Sequence, residues 1–197
     1  MPPPSQQDRA RTTRAALISA ARRLFAERGY EDVPADEIAS AAGLTRGAMY
    51  HHFADKRALF EAVFEELEAE MTEQLGEILA SAPPDDLIRA ALRAFLDICT
   101  RDEVVRIALT EAPAVLGWQR WREIEAQYGL GLVRAGLSTN PAVEEKSADA
   151  LAHIVLSAVI EAALLIAHSP RPKAARVQAE AALTVLFDRL LPATRSR

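Results

Sequence analysis

The chain has a single cysteine, Cys99, in 197 residues. An intrachain disulfide and a cysteine-built metal cage are therefore both excluded, which suits a reducing cytoplasm. Glycine is scarce, at eight residues, and no run alternates apolar and polar positions with period two. Half-buried strands need that alternation, so the chain reads as all-α. A basic excess is missing as well: 23 Lys and Arg stand against 28 Asp and Glu, a net charge of −5. The opening MPPPSQQDRARTTR carries no apolar segment of the kind a signal peptide needs. Residues 150–167 are the only stretch near membrane-spanning length, and they contain Glu161. A carboxylate at mid-span costs roughly 2.5–3.5 kcal/mol, so this stretch is expected to be a buried helix and no membrane partner is expected. Metal-ligand clusters, phosphate loops and nucleophile motifs are likewise absent, and neither catalysis nor a cofactor or metal is expected.

What is present is hydrophobic content of 50 %, enough for one large or two small domains. Helical periodicity appears first over 12–28, where Leu17, Ala21, Leu24 and Phe25 share a face and Gly29 ends the helix. A long helix is predicted over 56–79, with Leu59, Phe60, Val63, Phe64, Leu67 and Met71 as its apolar stripe. Further helices are predicted over 85–99, 103–111, 117–135, 142–168 and 173–191, punctuated by Pro83-Pro84, Pro113, the 138–141 cluster and the 169–172 cluster. Asp85 is expected near the start of the first of these and a short basic tail after the last. With two short helices between residues 35 and 52, the total is about nine.

Those two short helices carry the most information. In ADEIASAAGLTRGAMYHHFADK, residues 35–56, Ile38, Ala39 and Ala42 give the first helix an inner face. Gly43 supplies the left-handed turn residue, and Thr45 caps a second helix running from Arg46 to His52. That helix is short and polar, and its Arg46, Tyr50, His51 and His52 are donors suited to phosphates and base edges. A helix-turn-helix reads the DNA major groove in this way. Arg46 can pair with guanine O6 and N7 or bind a phosphate. Thr45 can cap and contact a phosphate, Gly47 lets the backbone approach DNA, Tyr50 bonds a phosphate, and His51 faces DNA while His52 packs or caps. Lys56, in the first turn of the next helix, is placed to hold a phosphate with that helix's amides. Adjacent histidines diverge by about 100° on a helix and make a poor metal site. Arg9, Arg11 and Arg14 form either a minor-groove arm or a solvated tail. The charge division fits: residues 1–60 hold nine Lys/Arg against seven Asp/Glu, whereas 61–197 hold fourteen against twenty-one. DNA binding requires only a local basic face.

Residues 12–71 resemble the DNA-binding region of the TetR family of bacterial transcriptional regulators. The resemblance rests on Ala20-Ala21, Leu24-Phe25, Gly29-Tyr30, Ile38-Ala39, Ala42-Gly43-Leu44-Thr45, Gly47, Tyr50, His52-Phe53, Lys56 and Leu59, without a gap. EAPAVLGWQRWREIE, 111–125, is similar to a pattern in a subset of these regulators. Where the family commonly has Thr or Ser at the start of the first reader helix, this chain has Val33-Pro34, which removes a hydroxyl cap and phosphate contact. The polar opening with Pro2-Pro3-Pro4 is expected to be disordered, an arm at 1–11, and the resemblance implies a helix-turn-helix domain at 12–56 and a helical ligand and dimer domain at 57–197. It also implies a homodimer on a palindromic operator of double-stranded DNA, a repressor released by a small-molecule effector. The alternative is a regulator without such an effector, governed by a protein partner or its own concentration.

The 142–168 helix is apolar on every side and is therefore expected to be buried on every side. Leu151, Val155, Val159, Ala162 and Ile166, with Val177, Ala181 and Val185 of the last helix, are the expected dimer interface. Phe95, Cys99, Leu109, Trp118, Trp121 and Tyr128 are candidates for an apolar pocket or for plain core. His153, Ser157 and Glu161 are either a polar stripe in that pocket or structural groups bonded across the interface. A hydrolytic triad is not expected, since groups stacked on one helix cannot aim a nucleophile at an oxyanion hole.

Overall fold

The computed structural model describes residues 5–83, 87–138 and 143–190. Residues 1–4, Asp85, the 139–142 turn and the basic tail lie outside the described residues. Helix α1, Gln6–Arg28, starts well before the predicted position 12 because Ser5 and Asp8 form a capping box. The Ser5 hydroxyl accepts from the Asp8 amide at 3.1 Å and the Asp8 carboxylate accepts from the Ser5 amide. Two otherwise orphaned donors are satisfied together. The arm expected to be disordered over 1–11 is thus helical from Gln6, and Arg9 and Arg11 are exposed residues of a helix.

Helices α2, Ala35–Ala41, and α3, Arg46–His52, follow. Gly43, at φ 71°, ends α2 in a Schellman turn: its amide donates to Ser40 O and the Leu44 amide donates to Ala39 O at 2.8 Å. Pro34 caps α2 without a side-chain hydrogen bond. Although α3 reads as polar, its Met49 is fully buried and pins it to the core. Rings of Phe25, Tyr30 and Phe60 lie 5.3–5.7 Å apart beneath it.

Helix α4, Lys56–Ser81, opens with Asp55 accepting from the Ala58 amide at 2.7 Å. It packs along α1 and then continues between α5, Leu87–Ile98, and α8, Trp118–Ser138. Between these, residues 102–116 form one bent helical run rather than the single helix predicted over 103–111: α6, Asp102–Val104, a π-helix, Val105–Glu111, and α7, Ala112–Leu116. The Thr110 hydroxyl donates to Val105 O, and Pro113 at the start of α7 cannot donate to a carbonyl upstream, so regular α register does not run through. Helices α9, Glu145–Ala167, and α10, Pro172–Leu190, complete the fold. No strand occurs among the described residues.

One apolar cluster runs continuously from Leu17 through Phe64 to Ala163, across the 56/57 boundary. Ion pairs of Arg22 cross that boundary, and those of Arg120 hold α8 to α4. Arg22 of α1 reaches Glu70 at 2.7 Å and Glu103 at 2.6 Å, and Arg120 reaches Glu61 and Glu65 of α4. Arg57 donates to the carbonyls of Val115 and Leu116. A second cluster joins α5, α9 and α10 through Leu92, Leu96, Ala162, Ile166, Leu183 and Phe187.

Candidate nucleic-acid interface and interior cavity

The outer face of α3 presents Arg46, Gly47, Tyr50 and His51, all exposed. Thr45 accepts from the Ala48 amide at 3.2 Å, so its hydroxyl is the cap. The Arg46 guanidinium lies 3.1 Å from the Asp36 carboxylate and 5.4 Å from the Tyr50 ring. Both partners are about 60 % exposed, so this surface tether is weak and releasable. Gly47 is more telling. A Cβ there would meet only Thr45 Oγ1, at 4.0 Å, so nothing within the protein requires glycine. His52 is half-buried, and its ring lies 5.6 Å from that of His51.

Lys56 does not stand free. Its ammonium donates to Tyr30 O at 2.9 Å and Val33 O at 3.2 Å, over the Tyr30 ring at 4.1 Å. Two of its three N–H bonds tie α4 to the α1–α2 loop, which leaves one for a phosphate.

Behind the reader, a cavity of about 330 Å³ opens among α4, α5, the π-helix, α8 and α9. Phe95, Cys99 and Leu109 line it. Trp121 does not: it is fully buried in the core, its ring 4.9 Å from and tilted 59° to that of Trp118, which is 64 % exposed. Tyr128 is half-buried and outside the lining, while His153, Ser157 and Glu161 are exposed on the outer face of α9. Ser157 accepts there from Arg122 at 2.9 Å. The polar stripe of α9 therefore faces away from the cavity.

Val155 and Val159, expected at a subunit interface, line the cavity within the protomer. Ala162 and Ile166 belong to the α5–α9–α10 cluster, and Leu151 packs on the main core. Only Val177, Ala181 and Val185 of the expected set are exposed. A helix apolar all round gives no periodic signal to say which side meets which neighbour. Ile154 and Leu165, each 60 % exposed, occupy the outer face of α9.

The cavity wall also holds two acids absent from the predicted pocket set, Glu68 of α4 and Glu125 of α8. Each lies one turn after a fully buried aromatic, Phe64 and Trp121, and so on a core-facing stripe. That spacing was the available signal. Desolvation, with the Glu125 charge second, pushes the Glu68 carboxyl up to about 8. Burial pushes Glu125 up to about 7, opposed by Arg122, whose guanidinium lies 2.7 Å away. Burial also raises the Cys99 thiol, which leaves it an inert wall residue.

Comparison with known proteins settles the family. Residues 17–63 match the model of bacterial regulatory proteins of the tetR family, and residues 86–190 match the tetracyclin repressor-like C-terminal domain. The chain belongs to the TetR family. A solved TetR-family transcriptional regulator from Pectobacterium atrosepticum is 35 % identical, with a TM-score of 0.81 over 98 % of this chain and 100 % of that one. The transposon Tn10 TetC protein of Escherichia coli is 29 % identical over 68 % of each chain. The HTH-type transcriptional regulator AcrR of Shigella flexneri is 37 % identical over 51 % of this chain and 47 % of its own. The protein is thus a DNA-binding transcriptional regulator of the TetR family, whose members are not enzymes. Its helix-turn-helix is α2–α3.

Proposed function

We propose that this TetR-family protein is a cytoplasmic homodimeric repressor that grips a palindromic operator through two α3 helices and releases it when a small molecule fills the cavity. The observation that carries this is the single helix α4. Its first turn, at Lys56, adjoins the reader, and Glu68, Met71 and Leu75 further along it wall the cavity. At 26 residues it is about 39 Å long and links the two sites rigidly. The π-helix gives a second link: Ala108 and Leu109 line the cavity, and Glu111 at its end lies against Gly29 at the end of α1. A Cβ on Gly29 would stand 2.5 Å from the Glu111 carboxylate. A ligand preferring the DNA-incompetent dimer shifts its population by displacing these elements, and ~5.5 kcal/mol of preference drives a near-complete switch. The open apolar cavity favours this reading over a regulator without a small-molecule effector.

Binding of the protein to its own upstream DNA and to a random duplex at fixed salt tests the docking. Arg46→Ala is expected to lower the operator-to-random affinity ratio by about tenfold, one base contact's worth. Tyr50→Phe lowers both affinities alike. Unchanged affinities for both variants would remove α3 from the interface.

Gly47→Ala separates fold from function. With open space for the Cβ, alanine is expected to raise stability by about 0.5–1 kcal/mol in thermal melts. The same methyl is expected to lower operator affinity by about tenfold, because backbone approach to DNA is lost. Equal operator binding by this variant would show that Gly47 faces no DNA backbone.

A further inference from the structure

We propose that the effector is an apolar molecule carrying one protonated amine, and that the Glu68 carboxylate receives that amine inside the cavity. The inference rests on the cavity being the effector site. The described lining residues include two acids and no Lys, Arg or His. Glu125 has its own cation in Arg122, whereas Glu68, 8 % exposed, makes no hydrogen bond to the described residues. A nearly buried carboxyl without a partner, facing an apolar chamber, lacks one thing: a cationic donor. An anionic ligand would meet two acids and no base. A purely hydrocarbon ligand would leave the Glu68 oxygens as they are.

The surroundings restrict the charge match to Glu68. Glu125 approaches it from α8, and the Cys99 thiol from the residue just after α5. Tyr128 of α8 feels its charge from outside the lining. The π-helix offers Ala108 and Leu109, and α9 offers Val155, Leu156, Val159 and Ile160, all apolar. The cavity volume lies at the low end of the ~300–1,000 Å³ typical of small-molecule pockets. That suits a ligand with a medium-length alkyl chain or one or two rings. Binding involves no covalent step. The ammonium enters with its proton, the Glu68 carboxyl gives its own proton to solvent, and the ion pair forms in a medium where it is not screened.

Titration calorimetry on the full-length protein with octylamine, octan-1-ol and octanoate, with operator release followed in parallel, tests this. Octylamine is expected to bind at least about tenfold more tightly than octan-1-ol, with octanoate weakest. At pH 7, runs in phosphate and Tris should show close to one proton released per amine bound. Glu68→Gln should abolish the amine's advantage and leave octan-1-ol binding unchanged. Binding of the alcohol or the acid as tight as the amine overturns the cationic assignment and leaves the cavity as the effector site. Amine binding undiminished in Glu68→Gln overturns it too. Failure of all three to bind or to release the operator removes both the assignment and the effector-site reading.

Discussion

Replacing Glu68 by glutamine is expected to raise the melting temperature at pH 8 by about 5–10 °C and to flatten its dependence on pH. The sign follows from where the proton sits. In the unfolded chain the carboxyl has its ordinary value of 4.5, and in the native state desolvation and Glu125 push it up to about 8. Between those limits the native state holds a proton that the unfolded state has released. Stability therefore falls as pH rises through this window, by roughly 2–4 kcal/mol. Glu125 adds a smaller loss of the same sign between 4.5 and about 7, smaller because Arg122 favours its ionised form. Glu70 acts oppositely in a lower window. Its hydrogen bonds and charge contact with Arg22 lower it below 4.5, so its contribution is present at neutral pH and disappears on acidification. Glutamine keeps the volume of Glu68 without an ionisable group, and so removes the loss between pH 4.5 and 8. Chemical denaturation at pH 5, 6.5 and 8 checks this. A wild-type protein equally stable at all three, or a variant less stable at pH 8, would mean that the Glu68 carboxyl is solvated in the native state.

How far the sequence carried the fold depended on local signals. The turn at Gly43, the cap at Thr45 and the α4 stripe each have a mechanism contained within a few residues, and each stands in the structure where the spacing places it. The capping box of Ser5 and Asp8 was equally local but lay within a polar, proline-led segment whose composition suggested disorder. The cavity was less legible. Phe95, Cys99 and Leu109 line it, but aromatic spacing could not tell Trp121, a core residue, from a wall residue. Nor could the all-round apolarity of α9 separate Val155 and Val159, on the cavity, from Ile154 and Leu165, on the outside. Those assignments depend on which helices come to lie on either side, a long-range property with no sequence period. Lys56 shows the complementary limit. Its place in the motif suggested phosphate, but its loop carbonyl partners are 23 and 26 residues away in sequence.

Introducing aspartate at both Val177 and Val185 is expected to convert the proposed dimer to a monomer and to weaken operator binding by about 10²- to 10⁴-fold. Five of the eight exposed large apolar side chains among the described residues lie on α9 and α10: Ile154, Leu165, Val177, Val185 and Leu186. Val177, Ala181 and Val185 follow one another at four-residue spacing and so form a single stripe along α10. A second copy of the same face, applied by a two-fold axis, would cover it in a four-helix arrangement and set two α3 helices for successive half-sites of a palindrome. Val177 and Val185 are 69 % and 56 % exposed, so their replacement leaves the packing of the protomer intact. Two buried like charges per subunit, facing their equivalents across the axis, are incompatible with the interface. Sedimentation reads the assembly, and binding to full and half operators reads the consequence. The decisive pattern is a large loss on the full palindrome with little loss on a single half-site, since dimerisation contributes by making the second contact intramolecular. An unfolded variant would lose both, and a variant that remains dimeric would place the subunit contact on some other face.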